Sequence, residues 1–142
     1  MQHLTEFVTN NLILFAALLG VLVMLIKAEL DHQVNKGLLA SPSMAIRLMN
    51  NDDDMLIIDI RAATEYKNGH IKGAKNIPLN EFASGIDGYA KFKDKPILIY
   101  CNSGNTTTRT IKLLKKAGFN KINDLEGGIA AWKEAKMPLS KK

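Results

Sequence analysis

The feature that most constrains this chain is an unbroken apolar stretch near its start. No charged residue lies between Glu6 and Lys27, and Leu12 to Ile26 reads LILFAALLGVLVMLI, apolar or glycine throughout. As a helix rising about 1.5 Å per residue, Phe7 to Ile26 reaches about 30 Å, the thickness of a bilayer core. A secretory signal would start with basic residues, whereas MQHLTE has neither Lys nor Arg. No small-x-small cleavage site follows; Lys27-Ala28-Glu29-Leu30-Asp31 does. A buried core helix would show a polar face, and this stretch has none. The reading is an uncleaved transmembrane anchor over residues 1–30, a polar linker over 31–37 with Gly37 as a break, and a domain over 38–142. Lys27 and Lys36 follow the span and no basic residue precedes it. The positive-inside rule then puts the N-terminus outside the cell membrane and the domain in the cytoplasm.

A chain that is 46% hydrophobic and 23% charged is neither a disordered tail nor a fibrous repeat. Its single cysteine excludes a disulfide-built scaffold and suits a reducing compartment. From Lys36 onward there are 18 Lys/Arg against 11 Asp/Glu, a balance of +7. These basic residues are scattered, without interleaved aromatics or a nucleic-acid motif, so no nucleic-acid partner is expected. A solvated basic face near an anionic membrane, able to draw in small anions, accounts for them.

Beyond the linker, strand and helix patterns alternate. Ser41-Pro42 starts a helix to about Asn50, with Met44, Ile46, Leu48 and Met49 toward the core. MLIIDI (55–60) reads as a strand covered on both faces, followed by a short helix from Ala62 to Lys67 closed by Asn68-Gly69. Ala74 to Ile77, PILIYC (96–101) and Lys121 to Leu125 read as further strands. Helices follow at Thr106 to Ala117 and Ile129 to Ala135, the last carrying Trp132 as core packing. Such alternation predicts an α/β fold with a mostly parallel sheet flanked by helices. Ligands of such sheets bind beyond the carboxyl ends of the strands, and Cys101 stands at one of them.

Around it the chain reads Ile99-Tyr100-Cys101-Asn102-Ser103-Gly104-Asn105-Thr106-Thr107. A core strand runs into a small polar turn, and a helix then begins. Such a turn can aim several backbone N–H groups at one point, with the helix N-terminus adding its partial positive charge. A thiol there is favoured as thiolate, the form that attacks electrophiles. The plainer alternative is an inert cysteine ending a core strand.

Three segments resemble a rhodanese (sulfurtransferase) domain. They are Ile58-Asp59-Ile60-Arg61 with Glu65-Tyr66 and Gly69-His70-Ile71-Lys72-Gly73-Ala74-Lys75-Asn76-Ile77-Pro78; the loop Cys101 to Asn105; and Leu125-Glu126-Gly127-Gly128-Ile129-Ala130-Ala131-Trp132. They fall in the right order across roughly residues 38–139. The apolar N-terminus resembles that of the small membrane-anchored rhodaneses of bacteria. The resemblance implies a five-stranded parallel sheet between helices and a catalytic Cys101 that cycles through a persulfide. A donor such as thiosulfate, or a protein persulfide, would supply the sulfur; a thiophilic acceptor, including a sulfur-carrier protein, would remove it. The backbone N–H groups of Asn102, Ser103, Gly104, Asn105, Thr106 and Thr107 would cradle the sulfur. Neither metal nor organic cofactor is implied.

Many members of that family carry Arg five positions after the cysteine, where this chain has Thr106. Thiosulfate is accordingly a less secure donor here than a protein persulfide. The related phosphatase loop needs Arg at position 107, occupied by Thr107, so a phosphate dianion would lack its bidentate clamp. Arg109 is expected on the following helix without a catalytic role. Asp59, Arg61, Glu65 and His70 are expected to brace the loops; His70 has no ligand at metal-binding spacing. Besides the enzyme, a non-catalytic module recruiting partners to the membrane fits the same pattern.

Overall fold

The computed structural model describes Phe7, residues 10–35 and residues 38–141, with side chains through Leu30 in the first of the two longer segments. The chain divides into two units, one ending at Val34 and the other beginning at Asn35. The first unit holds helix α1 (Leu12–Asn35) except for its last residue. Its stretch Leu12–Leu30, with mean hydropathy 2.4, is long and apolar enough to cross a membrane. The large apolar side chains from Leu12 to Ile26 are exposed. Asp31 to Asn35, expected in the linker, instead continue the helix. KAELDHQVN contains no Gly or Pro, so nothing stops the helical run before Gly37. Met1 to Glu6 of the anchor, and Lys36 and Gly37 of the linker, lie outside the described residues.

The second unit runs β1 (Leu38–Ala40), α2 (Pro42–Asn51), β2 (Leu56–Asp59), α3 (Ala63–Asn68) and β3 (Lys75–Asn76). It continues with α4 (Phe82–Gly85), a 3-10 helix (Ile86–Phe92), β4 (Ile97–Tyr100), α5 (Thr107–Lys116), β5 (Ile122–Leu125) and α6 (Gly128–Glu134). The five strands form one parallel sheet in the order β1-β5-β4-β2-β3. The strand that hydrophobic patterning does not reveal is β1. It is three residues long with two of them exposed, and backbone pairing with Asn123 to Leu125 holds it in place. The helical turns from Phe82 to Phe92 are likewise absent from the sequence reading.

β2, β4 and β5 are buried along their whole length, which is why β2 and β4 read as near-continuous apolar runs, whereas β5 buries Asn123 and Asp124 between Ile122 and Leu125. Alternation sends Ile58, Ile60, Ile97, Ile99 and Cys101 to one face, where Phe82, Ile86, Ile111 and Leu114 cover them. Ile57, Leu98 and Tyr100 go to the other, against Ala45, Ile129 and Trp132. Helix α2 begins as its cap predicts: Ser41 Oγ accepts from the Met44 amide at 3.3 Å, with Pro42 in the first turn. Its core-facing stripe differs from the expectation at one place. Ala45 is buried with Leu48 and Met49 at helical spacing beside it, whereas Met44 points outward, 43% exposed.

The last helix is tied to the end of β4 by backbone alone. Gly127 offers no side-chain cap, and the first amides of α6 would be left without acceptors. They find them in the turn after β4: Ile129 N–H donates to the Cys101 carbonyl (2.9 Å) and Ala130 N–H to that of Asn102 (3.1 Å). This approach requires Gly128. Its φ is +61°, and a Cβ there would lie 2.5 Å from the Cys101 carbonyl oxygen and 2.8 Å from the Asn102 carbonyl. Gly128→Ala is therefore expected to destabilise the domain by about 2 kcal/mol or more, from left-handed backbone strain plus displacement of the turn. Urea unfolding of the detergent-solubilised chain checks this; unchanged stability would contradict the packing described.

Candidate active site

Cys101 is the residue after β4, a free thiol only 4% exposed. The strand ends there because Asn102 to Thr106 turn back into α5, with Gly104 at φ +84° making the bend. That bend points the Gly104 N–H at the cysteine, donating to Sγ at 2.9 Å. Of the six amides expected around the sulfur, Gly104's makes this contact. Asn102, Ser103, Asn105 and Thr106 are exposed along the rim, and Thr107 is buried as the first residue of α5.

Beneath the turn lies a carboxylate that the sequence reading passed over. The Thr107 hydroxyl sits 2.7 Å from Asp124 Oδ2 and 3.1 Å from the Gly104 carbonyl. Asp124 is 7% exposed, and its Oδ1 has no partner among the described residues. Burial pushes the Asp124 carboxyl above its ordinary range, and the Thr107 hydrogen bond only partly opposes this. A carboxyl raised on folding contributes most stability when protonated and loses it as pH climbs from its ordinary value through the folded one. Asp124→Asn keeps an acceptor for Thr107 and removes the charge. Its stability relative to the parent should rise between about pH 4 and about pH 7. Urea unfolding at both values measures this, and a pH-independent difference would refute it.

Glu65 lies at the other side of the turn, where Oε1 accepts from Asn102 Nδ2 at 2.7 Å and Oε2 from the Ala62 amide at 3.3 Å. Asp59 and Arg61 stand at the same end of the sheet but on the opposite face from the thiol. Asp59 is in register with Tyr100, and the Arg61 guanidinium sits 5.7 Å over the Tyr100 ring. Arg61 grips the Asp59 carboxylate through Nε and a second nitrogen at 2.6 Å, and also donates to the Gly69 carbonyl at 2.8 Å. Burial works against the Arg61 charge, and the paired Asp59 more than offsets it, holding the guanidinium cationic. Burial, with the Asp59 carboxylate nearby, pushes the Tyr100 phenol far upward, so its hydroxyl stays neutral and receives the Ile71 amide.

His70 is clear of the thiol as well. It stacks on Tyr66 (centroids 3.8 Å apart), its Nδ1 lies 2.8 Å from the Tyr66 carbonyl, and its backbone pairs with Ser140. Trp132 is buried as expected, donating from Nε1 to the Pro138 carbonyl at 3.0 Å. Among the described residues, no group of three His, Cys, Asp or Glu side chains is arranged to hold a metal ion. The turn thus brings together Cys101, Gly104, Thr107 and, through Asn102, Glu65. Asp59 and Arg61 pair on the other face of the sheet, and His70 packs against Tyr66.

Residues 41–135 match the family model described as the rhodanese-like domain. The chain is 30% identical over 140 residues to the uncharacterized protein YibN of Escherichia coli K12, covering 98% of this chain and 97% of YibN. It is 33% identical over 107 residues to the probable adenylyltransferase/sulfurtransferase MoeZ of Mycobacterium tuberculosis, covering 75% of this chain and 27% of MoeZ. Among solved structures it resembles the rhodanese-like domain of the Anabaena protein Alr3790, with a TM-score of 0.66 at 26% identity over 75% of this chain and 81% of that one. The buried thiol at a strand end, the glycine turn that faces it and the match along the length of the domain converge: this chain belongs to the rhodanese-like domain family.

Proposed function

We propose that the chain is a membrane-tethered sulfurtransferase that carries sulfane sulfur on Cys101. The observation that supports this most directly is the 2.9 Å contact from the Gly104 N–H to Sγ at the end of a core strand. A fixed donor aimed at sulfur suits a thiolate or persulfide and needs no reorganisation during the reaction. The resemblance of part of MoeZ, described as a probable sulfurtransferase, lends support at the level of the family.

In this reading the Cys101 thiolate attacks the outer sulfur of the donor. With thiosulfate, a sulfur–sulfur bond forms to Cys101, the bond inside thiosulfate breaks, and sulfite leaves with that electron pair. The outer sulfur of Cys101–S–S⁻ then passes to a thiophilic acceptor, a small thiol or a sulfur-carrier protein, and the cysteine thiolate returns. Thr106 is exposed and offers no positive charge to an anionic donor, and Glu65 adds a negative one at the same rim. Thiosulfate should therefore be a poor donor compared with a persulfide. Intact mass after thiosulfate treatment should show a gain of about 32 Da in the parent and none in Cys101→Ser. Thr106→Arg should lower the KM for thiosulfate by about tenfold, since a charged hydrogen bond contributes about 1.5–3 kcal/mol. An equal mass gain in Cys101→Ser would overturn the persulfide reading. An unchanged KM in a folded Thr106→Arg protein would overturn the weak-anion reading.

We further propose that Leu12–Leu30 spans the cell membrane with the domain on the cytoplasmic side. The support is the apolar length of α1 and the position of Lys27 directly after its uncharged stretch, which ends at Ile26. A thiol reagent that cannot cross membranes should label Cys101 in lysates and spare it in intact cells. Labelling of intact cells would reverse the orientation, and release of the chain by alkaline carbonate would remove the anchor.

A further inference from the structure

β2 and β4 are neighbours, yet the helices that follow them cover opposite faces of the sheet: Tyr66 of α3 packs with the Tyr100 cluster, and Ile111 and Leu114 of α5 with the Cys101 cluster. Such a divergence opens a crevice beyond the carboxyl ends of the two strands, the place where ligands of open parallel sheets bind. The structure has an open cavity of about 530 Å³ there, lined by Ile60, Ala62, Pro78, Leu79, Leu113 and Arg109 among others. Two of its lining residues connect to the cysteine turn, and Ile60 packs in the same apolar cluster as Cys101. The Ile60 amide donates to the Tyr100 carbonyl, one residue before the thiol, and Ala62 is linked to the turn through Glu65 and Asn102.

Among the described residues, Arg109 is the only charged one lining this cavity. It is exposed and has no hydrogen bond or ion pair with any described residue. It also stands in the first turn of α5, where a cation opposes the helix macrodipole, and no acidic residue in that turn balances it. Lys112 and Lys116 extend the positive charge along the exposed side of the same helix. A mostly apolar wall with one free guanidinium, at a size typical of small-molecule sites (about 300–1,000 Å³), fits a ligand of peptide size with a carboxylate for a bidentate grip.

We propose that this cavity is the acceptor subsite, binding a low-molecular-weight thiol through a carboxylate held by Arg109. The proposal rests on the sulfurtransferase reading. The acceptor sulfur attacks the outer sulfur of Cys101–S–S⁻, a new sulfur–sulfur bond forms on the acceptor, and the bond to Cys101 breaks. The electron pair returns to the Cys101 sulfur, which takes up the proton the thiol releases. Arg109 acts on binding and orientation only.

The test uses full-length protein in detergent, loaded with thiosulfate, and glutathione against its uncharged diethyl ester as acceptors. Loss of the added sulfur is followed by intact mass. The parent should discharge to glutathione with the higher kcat/KM, and Arg109→Gln should cut that preference about tenfold, with Arg109→Lys retaining part of it. No preference in the parent, or an unchanged preference in Arg109→Gln, overturns the proposal. A second arm measures glutathione binding to Cys101→Ser by titration calorimetry, with and without Arg109→Gln. Binding that the second substitution weakens supports the subsite even where thiosulfate loads no sulfur, a result that would overturn the sulfurtransferase reading alone. No binding overturns the subsite.

Discussion

Two hydrogen bonds organise this domain around its cysteine: the amides of Ile129 and Ala130 donate to the carbonyls of Cys101 and Asn102. Each solves a problem for both partners. A helix without a side-chain cap gains acceptors for its first amides, and a turn leaving a buried strand gains donors for its carbonyls. Because both carbonyls point toward α6, the turn is free to aim its next amide, that of Gly104, back at the sulfur. Gly128 makes the approach possible by having no side chain where Cys101 and Asn102 pass. The position of the thiol is thus set by backbone geometry on three elements, β4, the turn and α6.

The sheet then separates two kinds of chemistry. On one face, Cys101 continues an apolar layer of Ile58, Ile60, Ile97 and Ile99 beneath α5. On the other, the Asp59–Arg61 pair, the Tyr100 ring and hydroxyl, and the Gly69 carbonyl form a closed polar cluster. Each of these groups has a partner, as a buried charge requires. The carboxyl-end corner of β2 is bound further by the Asn76 side chain, which donates to the carbonyls of Asp59 and Arg61. Asp124 breaks this pattern, with one buried oxygen under the turn left unpartnered among the described residues.

Much of this was legible in the sequence, for identifiable reasons. The buried strands β2 and β4 announce themselves as apolar runs because a parallel sheet is covered twice. The Ser41-Pro42 start and the Gly104 turn are local signals, and the structure has both. β1 left no trace, since three residues with two of them exposed carry no periodicity. Asp124 was invisible for a different reason: a lone acid in INDL gains meaning only when Thr107, seventeen positions earlier, is folded against it. Gly127-Gly128 was recognisable as a motif, but its purpose depends on a turn some 25 residues away, beyond any local rule. Asp31 to Asn35 of the polar linker are helical, because a polar stretch without Gly or Pro extends a helix readily.

The bonds that tie the turn to α6 involve only carbonyl oxygens of residues 101 and 102. Every amino acid has one. Foldability at this corner is thereby uncoupled from reactivity: the side chain at position 101 can change while the anchoring is retained, and the ionic cluster behind the sheet does not register the exchange. A domain built this way can exchange the thiol at this corner and persist as a scaffold. Retention of a thiol here then reflects a demand placed on the residue by something other than the fold.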